Sequence, residues 1–268
     1  SAFALPRLKP PHKRVMKILI AAFFAFLFAN EINVFAQVAP PSSTDWDACN
    51  VVLTAPTADS RGALPLGNGS IGVSAWVELS GDLVLYSSSN DSFSEICQLD
   101  KIGKVRVHLD PSPLAQQGTA FKEELQIRQG ALVVDMGDTH LELFVDANQP
   151  VIRVAGHSVK PRTVTVSYEG WRNERRVLHG QAAASARTMS GAPKSIEVAE
   201  AADVFVSAGQ APKGIAWYHR NETSIVPFTL KHQALGNTPG TYDPLLHRTF
   251  GAWIAGKGFT RANDMSLT

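Results

Sequence analysis

Cysteine is almost missing from these 268 residues, Cys49 and Cys97 being the whole complement. A small fold stapled by several disulfides is thereby excluded, and neither cysteine fits a zinc-ligand pattern. The two are compatible with one disulfide or with two inert thiols, and spacing alone does not decide between them. Charge is also scarce, at 18% of residues with a formal net value of +1. No nucleophile elbow of the G-x-S-x-G type occurs, nor a P-loop. The eight histidines, at positions 12, 108, 140, 157, 179, 219, 232 and 247, never fall into H-E-x-x-H or another close metal-ligand spacing. Neither a metal nor a cofactor is expected, and the histidines read as surface or satisfied core groups.

What is present begins with Met16-Lys17, which leads into the apolar run Ile18 to Phe28 and a more polar stretch ending Val34-Phe35-Ala36-Gln37. That order reads as a secretory signal peptide over residues 16–36, cleaved after Ala36. The run is shorter than the roughly 20 apolar residues of a membrane-spanning helix, so no span is expected after cleavage. Residues 1–15 form an upstream extension before the initiator. Export to the periplasm or the extracellular space follows. Setting aside Arg7, Lys9, Lys13, Arg14, Lys17 and Glu31 leaves 20 basic against 23 acidic residues, a formal charge of −3. A nucleic-acid partner is excluded, because phosphate neutralisation needs clustered Lys and Arg.

Residues 37–45 read as a flexible lead-in, and from Trp46 to Thr268 the hydrophobic period is mostly two. Ile71, Val73, Ala75, Val77 and Leu79 alternate with Gly72, Ser74, Trp76 and Glu78, the pattern of a strand with one face inward. Ser80-Gly81 turns it into Asp82 to Tyr86, completing a hairpin. Further strands are expected around Val105 to Leu109, Phe121 to Ile127, Ala131 to Asp135, Leu141 to Val145, Val151 to Val154 and Val164 to Tyr168. Later apolar pieces lie at 203–207, 224–231 and 249–255, and residues 182–186 read as an excursion more than a helix. Many short strands with frequent turns predict an all-β sandwich or barrel.

Gly67-Asn68-Gly69-Ser70-Ile71-Gly72 packs three glycines and an asparagine into six positions, a tight turn that leaves room for a neighbour. Trp171-Arg172-Asn173 and Trp217-Tyr218-His219-Arg220-Asn221 each set an indole beside polar donors. Such mixtures suit sugar recognition, with flat rings on apolar sugar faces and Arg or Asn on hydroxyls. They equally suit loops anchored to a sandwich by their tryptophans. Glu123-Glu124 is a poor acid/base pair, since neighbours in a strand point to opposite faces. His108, His140 and Glu142 on neighbouring predicted strands are the raw material for mutarotase-like proton transfer, but no motif ties them together.

Several stretches in order carry a family likeness: Leu64 to Gly72 with Trp76-Val77-Glu78, Lys101 to Val107, Val145 to Val151, Glu169-Gly170-Trp171-Arg172, His219-Arg220-Asn221, and Asp243 to Gly251. Together they resemble the N-terminal domain of the DUF5703 family, secreted glycoside-hydrolase-like proteins related in layout to family 95 fucosidases. The resemblance implies a large antiparallel β-sandwich, a supersandwich of the galactose-mutarotase-like kind, over residues 46–268. It also implies a longer enzyme in which a downstream (α/α)6 barrel supplies the catalytic carboxylates, and Thr268 falls about where the linker to that barrel would begin. No catalytic residue is carried over, and the domain alone is expected to be inactive. The implied partner is carbohydrate, a plant or algal glycan. Asn68, Gly69, Trp171, Arg172, His219 and Asn221 are the residues expected near the sugar, whereas Asp146, Asn148 and Arg248 are expected to be structural. A self-contained carbohydrate-binding protein and an extracellular structural or interaction module are the alternatives.

Overall fold

The computed structural model describes residues 43–183 and 195–268. The expected upstream extension and signal peptide, and most of the expected excursion at 182–186, lie outside the described residues.

The chain runs through a short helix, α1 (Ser43–Ala48), and then β1 (Val51–Leu53), β2 (Leu64–Gly67), β3 (Ile71–Val77), β4 (Leu83–Phe93) and β5 (Leu99–Asp110). It continues through β6 (Phe121–Gln126), β7 (Ala131–Met136), β8 (Thr139–Val145), β9 (Ile152–Ser158) and β10 (Thr163–Glu169). After β11 (Arg176–His179), β12 (Glu197–Glu200), β13 (Val204–Phe205) and β14 (Ile215–Arg220) comes a second helix, α2 (Val226–His232). Strands β15 (Thr249–Ile254), β16 (Arg261–Asn263) and β17 (Ser266–Leu267) complete it. All the paired strands are antiparallel.

A seven-stranded sheet in the order β16-β17-β10-β5-β4-β3-β2 forms one layer. Across it, Ala75, Leu85, Val105 and Tyr168 stand in one row and Val77, Leu83, Val107, Val166 and Leu267 in the next. These residues point to a common inner face. Two sheets cover that face, a five-stranded one (β1-β6-β7-β8-β9) and a three-stranded one (β13-β14-β15). Leu125, Leu132, Val134 and Leu143 of the first and Ile215, Trp217 and Phe250 of the second enter the same core. The all-β sandwich predicted from the alternation is therefore the architecture found. A satellite core of Ile96, Ile196, Val198, Ile225 and Leu245 packs under the β11-β12 ribbon and α2.

Two differences from the sequence reading have local causes. The apolar piece at 224–231 is largely helical, with Pro in its first turn and Lys231 and His232 in its last, where fixed φ and a positive charge suit helix termini. Strand β9 (Ile152–Ser158) runs past the expected Val151 to Val154 and is exposed from Arg153 to His157. It is the edge of its sheet, whose contacts with the seven-stranded sheet come through β7 and β8 against β2 and β3. Cys49 and Cys97 are both exposed and unpaired. Among the described residues, no helix is long and apolar enough to cross a membrane.

Candidate functional site

The outer face of the seven-stranded sheet follows from the same register. Ser74, Tyr86, Lys104 and Glu169 form one row and Trp76, Val84, Arg106 and Ser167 another. Trp76 and Val84 are buried, and the aromatic rings climb outward from there. The Trp76 and Tyr86 centroids are 5.1 Å apart, and Trp171, just past β10, meets Tyr86 edge-on at 6.1 Å and 80°. Trp171 is 47% exposed, so the stair ends in a partly free indole. The Arg172 guanidinium lies 5.5 Å from the Trp171 ring and the Lys101 ammonium 5.1 Å from the Tyr86 ring, cation–π contacts that brace both aromatics.

Charged groups beside the stair are already committed to one another. Arg106 Nη1 donates to Glu78 (2.7 Å) and Asp82 (2.9 Å), its Nε donates to Glu169, and Lys104 pairs with Glu169 at 2.5 Å. Partial burial pulls the guanidinium pKa down, but hydrogen bonds to Glu169, Glu78 and Asp82 outweigh it and raise the value. Burial works against Glu169 too, yet Arg106 and Lys104 hold its carboxyl below the usual range. His108 Nδ1 lies 2.8 Å from Asp82 Oδ1.

Beneath Trp171 lies a buried polar network. Arg172 Nε donates to Asp203 Oδ1 at 2.7 Å, and its two Nη atoms donate to the Lys101 carbonyl at 3.1 and 3.2 Å. Tyr168 donates its hydroxyl to Asp203 Oδ2 at 2.6 Å. The His219 ring spans two carboxyl groups, Nδ1 at 3.2 Å from Asp203 and Nε2 at 3.2 Å from Glu95. Burial depresses the imidazole, but Asp203 and Glu95 overcome that and lift its pKa to about 9. Burial raises the Asp203 carboxyl, while bonds from His219, Arg172 and Tyr168 bring it below the ordinary range. Glu95 Oε1 also accepts the Ala201 N–H at 2.9 Å.

The expected sugar-facing residues are thus placed in three settings. Trp171 reaches solvent. Arg172 lies against it but is buried, and His219, joined to Arg172 through Asp203, is buried too, both with their nitrogens engaged by protein groups. Asn221, also buried, donates to the carbonyls of Phe93 and Leu245, each at 3.0 Å. Asn68 is a clip: Nδ2 donates to the carbonyls of Asp146 (2.8 Å) and Gln149 (2.9 Å), and Oδ1 accepts from the N–H groups of Ser70 and Ile71. Gly69 follows it at φ 86°, a conformation that favours glycine. Asn90 Nδ2 donates to the Gly69 carbonyl, and Arg248 reaches Asp91, so the Asn68 turn and the Asn221 loop both hang on the end of β4.

Asp146 and Asn148 form the turn that Asn68 clips, Asp146 Oδ1 accepting the Asn148 N–H at 3.0 Å. His108 stands on the seven-stranded sheet, whereas His140 and Glu142 stand on β8 of the five-stranded one. Glu123 and Glu124 do face opposite ways: Glu124 meets Lys122 near solvent, and Glu123 is wholly buried. Neither Glu123 oxygen has a hydrogen-bond partner, and burial raises its carboxyl to about 7. Among the described residues, no three His, Cys, Asp or Glu side chains gather as metal ligands. The residues that the sequence did not single out are Tyr86, Tyr168, Glu95 and Asp203. Tyr86 alone had a signal, its outward position in the alternating strand.

The chain has no match among curated proteins. The model of the DUF5703 N-terminal domain, described as a domain of unknown function, matches residues 52–267. That span takes in both layers of the sandwich, the aromatic stair and the network beneath it, and the chain belongs to the DUF5703 N-terminal domain family.

Proposed function

We propose that this is the β-sandwich domain of an exported, glycoside-hydrolase-like protein, related in layout to glycoside hydrolase family 95, and that it holds a plant or algal glycan without cleaving it. The Trp171 indole carries the reading: partly exposed, edge-braced by Tyr86 and backed by Arg172, it offers a fixed apolar surface of the kind that stacks on a sugar ring. The carboxylates nearby favour binding over proton transfer, because Glu78, Asp82 and Glu169 are all tied to Arg106, Lys104 or His108. Arg172 acts one layer down, against the indole, and His219 reaches it only through the shared Asp203.

The test is binding of the full chain to an array of plant and algal polysaccharides, followed by titration calorimetry on the hits. Trp171→Ala is expected to keep the far-UV spectrum and to weaken binding on the order of tenfold, the equivalent of about 1.4 kcal/mol. Retention of no glycan by the wild-type chain overturns the reading. The exposed β9 edge favours a second reading, an interaction module of an extracellular assembly, since such an edge is a template for another strand. A complex that Val154→Pro abolishes while glycan binding is absent would support it.

A further inference from the structure

A second surface lies on the far side of the three-stranded sheet. Trp253 of β15 is 64% exposed, and its register partner in β14 is Ala216. The indole lies against Gly214, which is buried. A Cβ at that glycine would sit 2.1 Å from Trp253 Nε1, so no other residue leaves room for the ring there. Beside the ring is an open cleft of about 450 Å3 lined by Val206, Gln210, Pro212, Lys213, Ala216 and Trp253.

The cleft wall is held from behind by Arg261. Its Nη1 donates to the carbonyls of Ala211 and Gly214, each at 3.1 Å, and its Nη2 donates to the Val206 carbonyl at 2.8 Å. The Arg261 side chain is itself 7% exposed, so the loop from Val206 to Gly214 is fixed by a buried group before anything binds. Gln210 is exposed and its Oε1 accepts from the Ser207 hydroxyl at 3.0 Å, which leaves the amide nitrogen as the group able to donate to a ligand. Lys213 is exposed and, among the described residues, is in no ion pair, and no carboxylate lines the cleft.

The geometry points to this cleft as a second glycan subsite, selective for a sugar that bears a carboxylate. The indole takes the apolar face of the pyranose, the Gln210 amide donates to a hydroxyl or ring oxygen, and the Lys213 ammonium pairs with the uronate. The inference rests on the carbohydrate reading but on residues separate from the Trp171 stair, so the two are separable by experiment.

The probes are soluble polygalacturonate and a neutral galactan, titrated into the full chain and three variants. Polygalacturonate is expected to bind several-fold tighter than galactan at low salt, with the advantage falling as salt rises. Lys213→Gln removes that advantage and its salt dependence, and Trp253→Ala weakens polygalacturonate about tenfold. Trp171→Ala leaves the preference for polygalacturonate intact. If both polymers bind but neither Lys213→Gln nor Trp253→Ala alters the ratio, the subsite is overturned and the Trp171 reading stands. If neither polymer nor any other glycan binds, both fall.

Discussion

His219 and Asp203 share one hydrogen bond, Nδ1 to Oδ1 at 3.2 Å, while the opposite ring nitrogen faces Glu95 at 3.2 Å. A histidine between two buried carboxyl groups is held protonated, with its pKa lifted from 6.5 to about 9. The folded chain therefore binds this proton more tightly than the unfolded chain does. Stability from His219 is fully present below pH 6.5 and is lost as the pH rises through about 9. Urea titrations at intervals across that window are expected to show a falling midpoint. His219→Phe removes the slope and, by leaving Glu95 buried without its cation and Asp203 with Arg172 alone, costs about 3–5 kcal/mol at neutral pH. A variant with an unchanged slope would show that the window belongs to other groups.

Glu123 produces a second slope at lower pH. Its carboxyl is raised from 4.5 to about 7 by burial, so the folded state prefers it neutral. That preference stabilises fully below pH 4.5 and is lost between there and about pH 7. Glu123→Gln is expected to flatten this part of the profile and to gain up to about 3 kcal/mol over the wild type at pH 8, read from the same urea midpoints.

Asn68 makes four hydrogen bonds, two that shape the turn after β2 and two that join it to the turn between β8 and β9. Asn68→Ala removes all four bonds, leaving the Asp146 carbonyl without its side-chain donor while Gln149 keeps the Val151 N–H, and should cost about 1–3 kcal/mol. Binding through Trp171 is expected to survive at temperatures where the variant is folded. Thermal melts paired with calorimetry separate the two effects.

Gly103 faces the Tyr168 ring, where an added Cβ would lie 2.4 Å from Cε2 and 3.0 Å from Trp217 Cζ2. Gly103→Ala is expected to destabilise by about 1–3 kcal/mol through overpacking. Near-UV circular dichroism should report displaced aromatics before the far-UV signal changes.

Most of the strands were legible because alternation is a local signal: Ile71 to Val77 and Leu141 to Val145 each announce a buried face within a few residues. Helix α2 was readable in principle from Pro227 and the basic last turn, but seven residues are too few for a helical period to stand out against an apolar strand. The candidate site was legible only at Trp171. Its supports come from afar, His219 meeting Glu95 across 124 positions and Arg172 meeting Asp203 across 31. No local pattern links such residues. Arg172, His219 and Asn221 carry sugar-recognition chemistry in the sequence, and the fold spends that chemistry on its own carbonyls and carboxylates.

The same network ties together segments that are far apart in the sequence. Glu95 grips the Ala201 amide and His219, and Asp203 grips Tyr168, Arg172 and His219, so releasing any one of these exposes an unsatisfied partner in the others. The segments at 94–96, 171–173, 200–203 and 219–221 should consequently open together and not one by one. In native-state hydrogen exchange they would behave as one cooperative unit, with the Ala201 and Asp203 amides sharing a single opening free energy.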